Sequence, residues 1–475
     1  MKINKASLIS FGVVAEEKVP ISLAWLSGVC EKLDIEYDAI DFNYELFKNT
    51  NYNEYSSYRH NTLKNIPEPV NDVIDITIKK IIEFSPQIVC VSVFSYRQFD
   101  MARAFLRKLK PHGIRAIIGG PGVWYIPGGS NYTLGWELVK EELIQHYSLG
   151  NAEEVLVDFL NGTPEDSLIG LNTYAKVTRN GYEEWTELVK KIQEKYIPPS
   201  YKRIPLIDGN KEREIFITGA NGCPGKCAFC SIRKYIPYPS YRNGLDVANE
   251  CYKLYKETGV TKFKRTDALA NGHPTNFRIF NERIIELKKE DHQFTFEYNA
   301  MFVPKDKSIH GDDYYKLMAN AGCRSLDLGI ESGSERLRKE MHKGYTNDQL
   351  DWHFEMCHKY GIKNNISMFV GFPTETDEDF EENLKMLDRY QKYIGGAFNE
   401  IQHCGKFVLY TNTYIYDNLN EYNVEIINDK VEPIEWICTT NLGNTLDKRL
   451  LREQTFLDYA KNLGYKIDVY DSKDK

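Results

Sequence analysis

Three cysteines lie within eight residues of one another, at Cys223, Cys227 and Cys230. Thiolates are the usual ligands of iron–sulfur clusters, and a cubane cluster normally takes four of them. Three closely spaced thiolates on one loop can hold three corners of the cube and leave the fourth iron open. That open iron could chelate the amino and carboxylate groups of a methionine moiety. The triplet therefore predicts a [4Fe–4S] cluster that binds a ligand directly.

A structural zinc site is the main alternative for this triplet. Zinc takes four ligands, commonly from two paired C-x₂-C groups, and the sequence has no second pair, since Cys251 stands alone on a predicted helix. A ferredoxin-type cluster would also need a fourth cysteine nearby. The other cysteines are isolated and are interpreted as small apolar residues without a chemical role: Cys30, Cys90, Cys251, Cys323, Cys357, Cys404 and Cys438.

The spacing Cys-x₃-Cys-x-Phe-Cys resembles the signature of the radical S-adenosylmethionine (SAM) superfamily, with Phe229 at the aromatic position. Segments 262–272, 321–335 and 371–380 resemble further motifs of this superfamily and follow in the expected order. Together they are similar to the branch that carries an amino-terminal cobalamin-binding domain, over most of residues 5–400. The resemblance implies that the cluster reductively cleaves SAM to a 5′-deoxyadenosyl radical.

The same resemblance implies SAM-binding roles for residues at predicted strand ends. Glu331 would accept hydrogen bonds from the SAM ribose through its carboxylate. Asp267 would bind the SAM ammonium group, although many members carry Gly-Gly-Glu at this place. Ser332 and Ser334 would bind the SAM carboxylate or, equally, cap the helix that follows.

Other residues have a functional and a structural interpretation side by side. The turn that begins at Gly371 would shape the adenine pocket through its backbone, or it is a plain strand-to-helix turn. Arg336 and Arg338 could pair with the SAM carboxylate, or they belong to a solvated helix face. Aromatic residues near the carboxyl end could line a substrate pocket or simply pack: Tyr410, Tyr414 and Trp436.

Cobalamin-binding domains carry Asp-x-His-x-x-Gly, then Ser-x-Leu, then Gly-Gly. The resemblance assigns Ser92 and the pair Gly119 and Gly120 to the last two motifs, where they would line the pocket of the nucleotide tail. Asn43 stands where the histidine would replace the cofactor's own base on cobalt, and an amide is a poor ligand compared with imidazole. Asn151 departs from the Gly-Glu common in relatives. Either the domain binds cobalamin with a weak or absent lower ligand, or it is a retained scaffold.

The elements that must position these residues alternate between strand and helix. In the first part of the chain, predicted strands at 7–13, 37–42 and 88–94 are separated by helical stretches that include 20–32 and 101–110. Short apolar strands separated by helices predict a parallel sheet wound on both faces.

A second alternating series follows a connector and begins with a predicted strand at 215–218. The later predicted strands are 261–265, 294–299, 325–329, 363–370 and 403–409. The predicted helices between them include 246–258, 312–321, 347–360 and 377–393. Six βα units in series predict a partial barrel of the TIM type, with function at the carboxyl ends of its strands.

The predicted fold class is therefore α/β, with a doubly wound Rossmann-like domain, a partial (βα)₆ barrel and a small α/β extension. We expect a cobalamin-binding-like domain at 1–165, a linker at 166–205, a radical SAM core at 206–400 and a carboxyl-terminal extension at 401–475. The last segment carries no recognisable chemical motif.

Composition narrows the protein class further. The 475 residues are 42% hydrophobic and 27% charged, as in globular proteins of two or three domains. The net charge of −8 argues against a broad nucleic-acid interface. No apolar run approaches the roughly 20 residues of a membrane span, and charges interrupt the amino end too soon for a secretory signal. We therefore expect a cytoplasmic protein without a membrane partner.

The leading functional hypothesis is cobalamin-dependent methyl transfer to an unactivated carbon. The substrate is a small molecule or peptide that the sequence does not identify. A low-potential electron donor such as flavodoxin or ferredoxin is the expected protein partner. The alternatives are a radical rearrangement or cyclisation without methyl transfer, and a non-catalytic scaffold that binds metal.

Overall fold

The computed structural model describes residues 2–12, 16–60, 62–124, 133–148, 153–168, 171–172, 196–208, 211–236, 238–411, 413–428, 434–441 and 443–467. The chain divides into two compact units. The first comprises Met1–Phe216 with Lys256–Val260, and the second comprises Ile217–Tyr255 with Thr261–Lys475. The domain boundaries expected at 165, 205 and 400 stay predictions, and most of the predicted linker lies outside the described residues.

The first unit contains a six-stranded sheet in the order β2-β1-β3-β4-β5-β6. Its strands are β1 (Lys5–Phe11), β2 (Glu36–Asp41), β3 (Ile88–Val93), β4 (Arg115–Gly119), β5 (His146–Ser148) and β6 (Leu171–Asn172). The pairs that join β1 to β5 are parallel, and β6 is antiparallel to β5. Every residue of β3 is buried, as expected for a strand covered on both faces.

Helices flank this sheet in two groups. They are α1 (Ile21–Leu33), α2 (Phe42–Asn49), α3 (Tyr52–His60), α4 (Glu68–Phe84), α5 (Phe99–Leu109), α6 (Pro121–Trp124), α7 (Leu134–Lys140) and α8 (Glu153–Leu160). Helix α1 contacts α8, whereas α4 contacts α2 and α5. The predicted doubly wound fold is confirmed.

The remaining strands include a second six-stranded sheet in the order β16-β15-β14-β13-β12-β9. All the strands that follow β6, inside and outside this sheet, are β7 (Ile207–Asp208), β8 (Lys211–Glu212), β9 (Ile215–Ile217), β10 (Ala220–Asn221), β11 (Ser240–Tyr241), β12 (Lys262–Arg265), β13 (Glu297–Met301), β14 (Cys323–Glu331), β15 (Lys363–Val370), β16 (Phe398–Lys406), β17 (Val424–Asn428) and β18 (Glu435–Cys438). Neighbours from β12 to β16 pair in parallel. Their carboxyl ends therefore meet at one edge of the sheet.

Helices connect the strands of this sheet, as in a partial (βα) barrel. They are α9 (Ile232–Tyr235), α10 (Gly244–Thr258), α11 (Pro274–Glu290), α12 (Asp312–Ala321), α13 (Glu335–Glu340), α14 (Asn347–Tyr360), α15 (Asp377–Tyr390), α16 (Tyr414–Asp417) and α17 (Leu446–Asn462). Helices α14 and α15 begin with capping boxes, in which Thr346 and Thr376 accept from the backbone N–H groups of Gln349 and Asp379. These caps fix where each helix begins.

The carboxyl-terminal residues pack on the barrel. Helix α17 contacts β15, β16 and α15. A buried apolar cluster joins Ala228 of the cysteine loop and Phe372 after β15 to Trp436 of β18. The segment without chemical motifs is thus part of the second unit's core. No described helix combines the length and apolarity needed to cross a bilayer.

Candidate functional site

The cysteine loop follows β9 and β10 directly. The N–H of Gly225 donates to the Cys223 Sγ at 3.4 Å. A Cβ added to Gly225 would lie 3.3 Å from the Cys223 Sγ and 3.9 Å from the Cys227 Sγ. These two sulfurs therefore approach the same side of the loop, and Cys223, Cys227 and Cys230 are all half-buried. Such a loop, with partly accessible thiols around a glycine, suits a bulky cluster.

Ala228 anchors the loop between its second and third cysteines. Its N–H donates to the Met341 carbonyl at 3.0 Å, and its carbonyl accepts from the Ile415 N–H at 3.1 Å. Its side chain is fully buried. The cysteine loop is therefore tied to the segment after α13 and to the start of α16, both distant in sequence.

Burial raises the pKa of each of the three cysteine thiols, whereas the nearby Lys343 ammonium lowers it. An iron–sulfur cluster bound at this loop would add the positive charge that favours the thiolate forms. A structural zinc site would require ligands around one ion. Among the residues that the structure describes, no group of three or more His, Cys, Asp or Glu side chains is placed to hold a metal ion, and this includes the three cysteines.

Glu331 ends β14 at the predicted position and meets a partner that the sequence did not indicate. Its backbone has a φ of 66°, and the register with β15 shifts between Gly329 and Glu331. The Lys343 Nζ lies 3.3 Å from the Glu331 Oε1 and donates to the Gly329 carbonyl at 2.6 Å. Burial is the largest single effect and lowers the pKa of Lys343, but the charge and hydrogen bond of Glu331, together with Tyr345 and Cys227, raise the pKa overall.

Phe229 packs beside this pair. Its ring lies edge-on to Phe369, with centroids 5.1 Å apart, and the Lys343 Nζ lies 5.7 Å from its centroid. The cysteine loop, the end of β14 and the end of β15 thus meet around Lys343. A basic residue placed after a short helix offers no local signal that would have revealed this role.

Ser332 and Ser334 have structural partners. Ser332 is fully buried, and its Oγ donates to the Asn383 Oδ1 at 3.0 Å. Ser334 is the N-cap of α13, because its Oγ accepts from the Leu337 N–H at 3.2 Å. The same hydroxyl donates to the Asp379 Oδ1 at 2.6 Å. The capping interpretation of Ser334 is therefore realised, and binding of the SAM carboxylate by Ser332 stays a prediction.

The two arginines of α13 differ in burial. Arg336 is half-exposed and pairs with Asp379 and Glu340. Arg338 is buried, donating to the Ser332 carbonyl and to the Asn347 Oδ1, each at 2.6 Å. Arg338 thus holds the backbone of the turn after β14, and it does not belong to a solvated face.

The Asp267 side chain is buried and forms its hydrogen bonds inside the protein. It is 1% exposed, and its Oδ1 accepts the N–H groups of Gly219 and Ala220, each at 2.6 Å. Its Oδ2 accepts from the Arg265 Nε at 2.7 Å. These contacts pin the chain that enters the cysteine loop, which is a positioning role. Direct contact with the SAM ammonium stays a prediction.

Gly371 ends β15 with a φ of 78°. Its N–H donates to the Glu375 Oε2 at 2.5 Å, and Phe372 beside it is fully buried. A Cβ at Gly371 would overlap the Arg449 side chain. The turn is therefore closely packed. This agrees with an adenine pocket that is shaped by backbone groups.

The barrel face below these ends carries polar side chains. The Lys264 Nζ lies 2.8 Å from the Asp327 Oδ2, and the Asn365 Nδ2 donates to the Asp327 Oδ1 at 2.8 Å. The Asn399 Nδ2 in turn donates to the Asn365 Oδ1 at 2.7 Å. A closed barrel fills this face with branched apolar residues, so the polar chain distinguishes this partial barrel.

In the first unit, the structure brings together three of the four predicted cobalamin residues. Ser92, Gly119 and Gly120 line one cavity of about 210 Å³, together with Trp25 of α1 and Ser148 of β5. The cavity lies at the carboxyl ends of β3 and β4, where ligands bind in doubly wound folds. Its walls are mostly apolar.

Asn43 is not brought to this cavity. It lies on α2, after the second strand, and is 4% exposed. Its Nδ2 donates to the Tyr55 hydroxyl at 3.0 Å. The Asn43 side chain is therefore held inside a helical layer, away from the residues that line this cavity, and its role toward cobalamin stays a prediction. Gly150 and Asn151 lie outside the described residues.

Residues 217–387 match the family model of the radical SAM superfamily. The match includes the cysteine loop, the Glu331–Lys343 pair and the Gly371 turn. This part of the chain is accordingly a radical SAM domain, a class whose cofactors are a [4Fe–4S] cluster and SAM. Binding of the cluster by Cys223, Cys227 and Cys230 stays a prediction.

Known proteins similar to this chain include a methyltransferase, several tRNA-2-methylthio-N(6)-dimethylallyladenosine synthases and cobalamin-dependent enzymes. The uncharacterized methyltransferase PH0819 of Pyrococcus horikoshii is 25% identical over 324 residues, which is 66% of each chain. The chain thus spans slightly under two thirds of that relative's length.

Two solved structures share the architecture. The radical SAM methyltransferase TsrM of Kitasatospora setae, with tryptophan and a SAM analogue bound, gives a TM-score of 0.62 at 16% identity, covering 89% of this chain and 78% of TsrM. The cobalamin-dependent SAM radical enzyme OxsB with aqua-cobalamin gives 0.62 at 14% identity, covering 97% and 67%. At sequence identities this low, the similarity to TsrM and OxsB shows a shared fold.

Proposed function

We propose that this enzyme binds cobalamin in its first unit and transfers a methyl group from SAM to an unactivated carbon of its substrate. The cavity that Ser92, Gly119 and Gly120 line carries the proposal. TsrM and PH0819 are named methyltransferases, and structures of TsrM and OxsB contain cobalamin. A shared fold together with a cavity at the matching motifs supports extending both properties to this chain.

The dimensions of the cavity suit the base of the cobalamin nucleotide tail. An apolar cavity of about 150 Å³ accepts a benzene ring, and this one measures about 210 Å³ with mostly apolar walls. A Cβ on Gly119 would lie 3.6 Å from the Ser148 carbonyl oxygen, also at the cavity. The glycine therefore leaves space that a side chain would fill.

No histidine is among the described residues that line the cavity, and Asn43 is held elsewhere by Tyr55. We therefore propose that cobalamin is bound without a histidine ligand from α2. The neutral alternative, a retained scaffold without corrinoid, is an outcome of the experiment below.

The cluster supplies the electron that cleaves SAM when it is bound, and cobalamin supplies a methyl carrier. The chain's own residues hold and orient these groups. Three thiolates bind the cluster, Lys343 offsets part of their negative charge, and Glu331 presents a carboxylate at the strand end for the ribose hydroxyls. The closely packed backbone at Gly371 would lie against the flat adenine base of SAM.

Anaerobic reconstitution of the full chain with hydroxocobalamin tests the first step. We expect about one corrinoid per chain, measured by its visible spectrum and by cobalt analysis. The variant Gly119→Leu should lose most of this corrinoid because its side chain fills the cavity. Cys230→Ala should keep the corrinoid and lose the cluster. Absence of stoichiometric corrinoid in the wild type would leave the scaffold interpretation.

Product analysis tests the second step. With reductant and the correct substrate, S-adenosylhomocysteine and 5′-deoxyadenosine should both form. Deoxyadenosine without S-adenosylhomocysteine would favour a rearrangement or cyclisation. SAM cleavage that persists in Cys230→Ala would contradict the catalytic role of the cluster.

The reduction step calls for a donor, because the cluster must receive a low-potential electron. We propose a flavodoxin or ferredoxin in this role, acting in the cytoplasm. Reduction of the reconstituted cluster by a purified flavodoxin, followed by electron paramagnetic resonance, tests the proposal. Failure of both donor types to reduce the cluster would contradict it.

A further inference from the structure

A buried ion pair connects the carboxyl-terminal helix to the turn after β15. The Arg452 Nη1 of α17 lies 2.8 Å from the Glu375 Oε2, and the two side chains are 5% and 0% exposed. The Arg452 Nη2 also lies 2.8 Å from the exposed Asp377. Burying two charges carries a desolvation cost, so stability alone does not account for the presence of this ion pair.

Glu375 connects Arg452 to the Gly371 turn. Its Oε2 also accepts the Gly371 N–H at 2.5 Å, and its Oε1 lies 3.5 Å from the Asn383 Nδ2. Arg452 therefore reaches the backbone of the Gly371 turn, which we predict to line the SAM site, through one intervening side chain.

Asn383 extends the network to the neighbouring strand end. Its Oδ1 accepts from the Ser332 Oγ at 3.0 Å and from the Gly333 N–H at 2.6 Å. The turns after β14 and β15 are therefore held by a single buried set of bonds. A shift of either turn would move groups on both sides of the SAM site.

The rest of the carboxyl-terminal segment covers the same turn. The Arg449 stem occupies the space where a Gly371 side chain would be, and its guanidinium carbon lies 3.7 Å from the Trp436 ring centroid. The Asn444 Nδ2 donates to the Phe372 carbonyl at 2.8 Å. The segment thus contacts the turn through packing and through hydrogen bonds.

We infer that Arg452 is a positioning residue for SAM, which fixes the turns after β14 and β15 through Glu375 and so makes the carboxyl-terminal helix a determinant of SAM affinity. The inference needs only the radical SAM activity. It goes beyond cobalamin-dependent methyl transfer, and cobalamin-free protein suffices to test it.

The test measures SAM binding to the full chain with its cluster reconstituted. Equilibrium dialysis gives the dissociation constant, and the SAM-dependent change in the electron paramagnetic resonance spectrum of the reduced cluster reports binding at the iron. Arg452→Met should weaken SAM binding about tenfold or more, with unchanged iron content. Arg452→Lys, which keeps the charge, should recover most of the affinity.

Lys448→Met is the matched control. Lys448 lies one turn earlier on α17 and pairs with the same Asp377 at 2.7 Å, so its loss removes a positive charge from the same face of the helix. It should leave SAM affinity within about twofold of the wild type. Equal losses in the Lys448 and Arg452 variants would overturn the inference, because a general charge effect would then explain both.

Arg452→Met leaves the Glu375 charge buried without its cation, which could unfold the protein. The double variant Glu375→Gln with Arg452→Met buries no charge and is measured alongside it. It should fold, bind the cluster and show a similar weakening of SAM binding. Wild-type affinity in a folded, cluster-loaded double variant would overturn the inference.

Discussion

Glu331 and Lys343 form an ion pair at the carboxyl end of β14, with 3.3 Å between the Lys343 Nζ and the Glu331 Oε1. Lys343 also donates to the Gly329 carbonyl and lies near the ring of Phe229. The pair therefore links the end of β14, where we predict that SAM binds, to the cysteine loop, where we predict the cluster. One lysine acts on both sites.

Replacing Lys343 should change the cluster's reduction potential. The Lys343 charge acts on all three cysteine thiols, and the potential of such clusters depends on nearby charge. Lys343→Met should lower the potential, by an amount on the order of tens of millivolts. A redox titration followed by electron paramagnetic resonance measures it. Lys343→Arg should stay near the wild-type value, and an unchanged potential in the Met variant would contradict this role.

Gly329 leaves the space that the pair occupies. A Cβ at Gly329 would overlap the Glu331 carboxylate and lie 3.1 Å from the Lys343 Nζ. Gly329→Ala should therefore displace both side chains and weaken SAM binding about tenfold. Gly344→Ala is the control, because nothing lies within 4 Å of its added Cβ. Equal SAM affinity in the two variants would show that the displacement does not reach the ribose site.

Asp267→Asn separates a structural role from a binding role. Removing one partner of the buried Asp267–Arg265 pair leaves an uncompensated charge and should destabilise the protein by about 3 kcal/mol. Urea unfolding of the full chain measures the change. A variant with wild-type stability and lost SAM binding would instead support direct contact between Asp267 and the SAM ammonium.

The pH dependence of SAM binding should follow Glu375. Burial raises its pKa to about 7, against the lowering effects of Arg452 and the Gly371 N–H, and the charge of Asp379 adds to the rise. As pH falls from about 8 to about 6, Glu375 gains a proton and its bonds to Gly371 and Arg452 weaken. SAM affinity should therefore fall over that range, whereas Glu375→Gln should show no such step.

The same pKa shift has a consequence for stability. The pKa of a glutamate in an unfolded chain is about 4.3, below the folded value of about 7 for Glu375. The stabilising contribution of this group is therefore complete below about pH 4.3 and is lost as pH rises through about 7. The free energy of unfolding of the wild type, compared with that of Glu375→Gln across this range, measures the contribution. An identical pH profile in both proteins would contradict it.

The sequence determined features that short-range spacing and periodicity encode. The strand at Lys363–Val370 and the helices at Asp312–Ala321 and Asn347–Tyr360 coincide with their predictions. Strand β16 begins earlier than expected, at Phe398, because polar residues on its barrel face broke the apolar pattern. The buried residues of helix α11, Phe277, Phe280, Ile284 and Leu287, also follow helical spacing.

Tertiary structure alone decided which residues meet at the site. Lys343 reaches Glu331 from beyond α13, and Arg452 reaches Glu375 from 77 residues further along the chain. No local pattern encodes such pairs, because long-range packing of helices on strand ends creates them. Asn43, which the sequence placed in a cobalamin motif as a poor ligand, is bonded to Tyr55 on another helix and is not among the residues that line the cavity. The residue types therefore defined the chemistry available, and the packing of distant segments decided which of them could share a site.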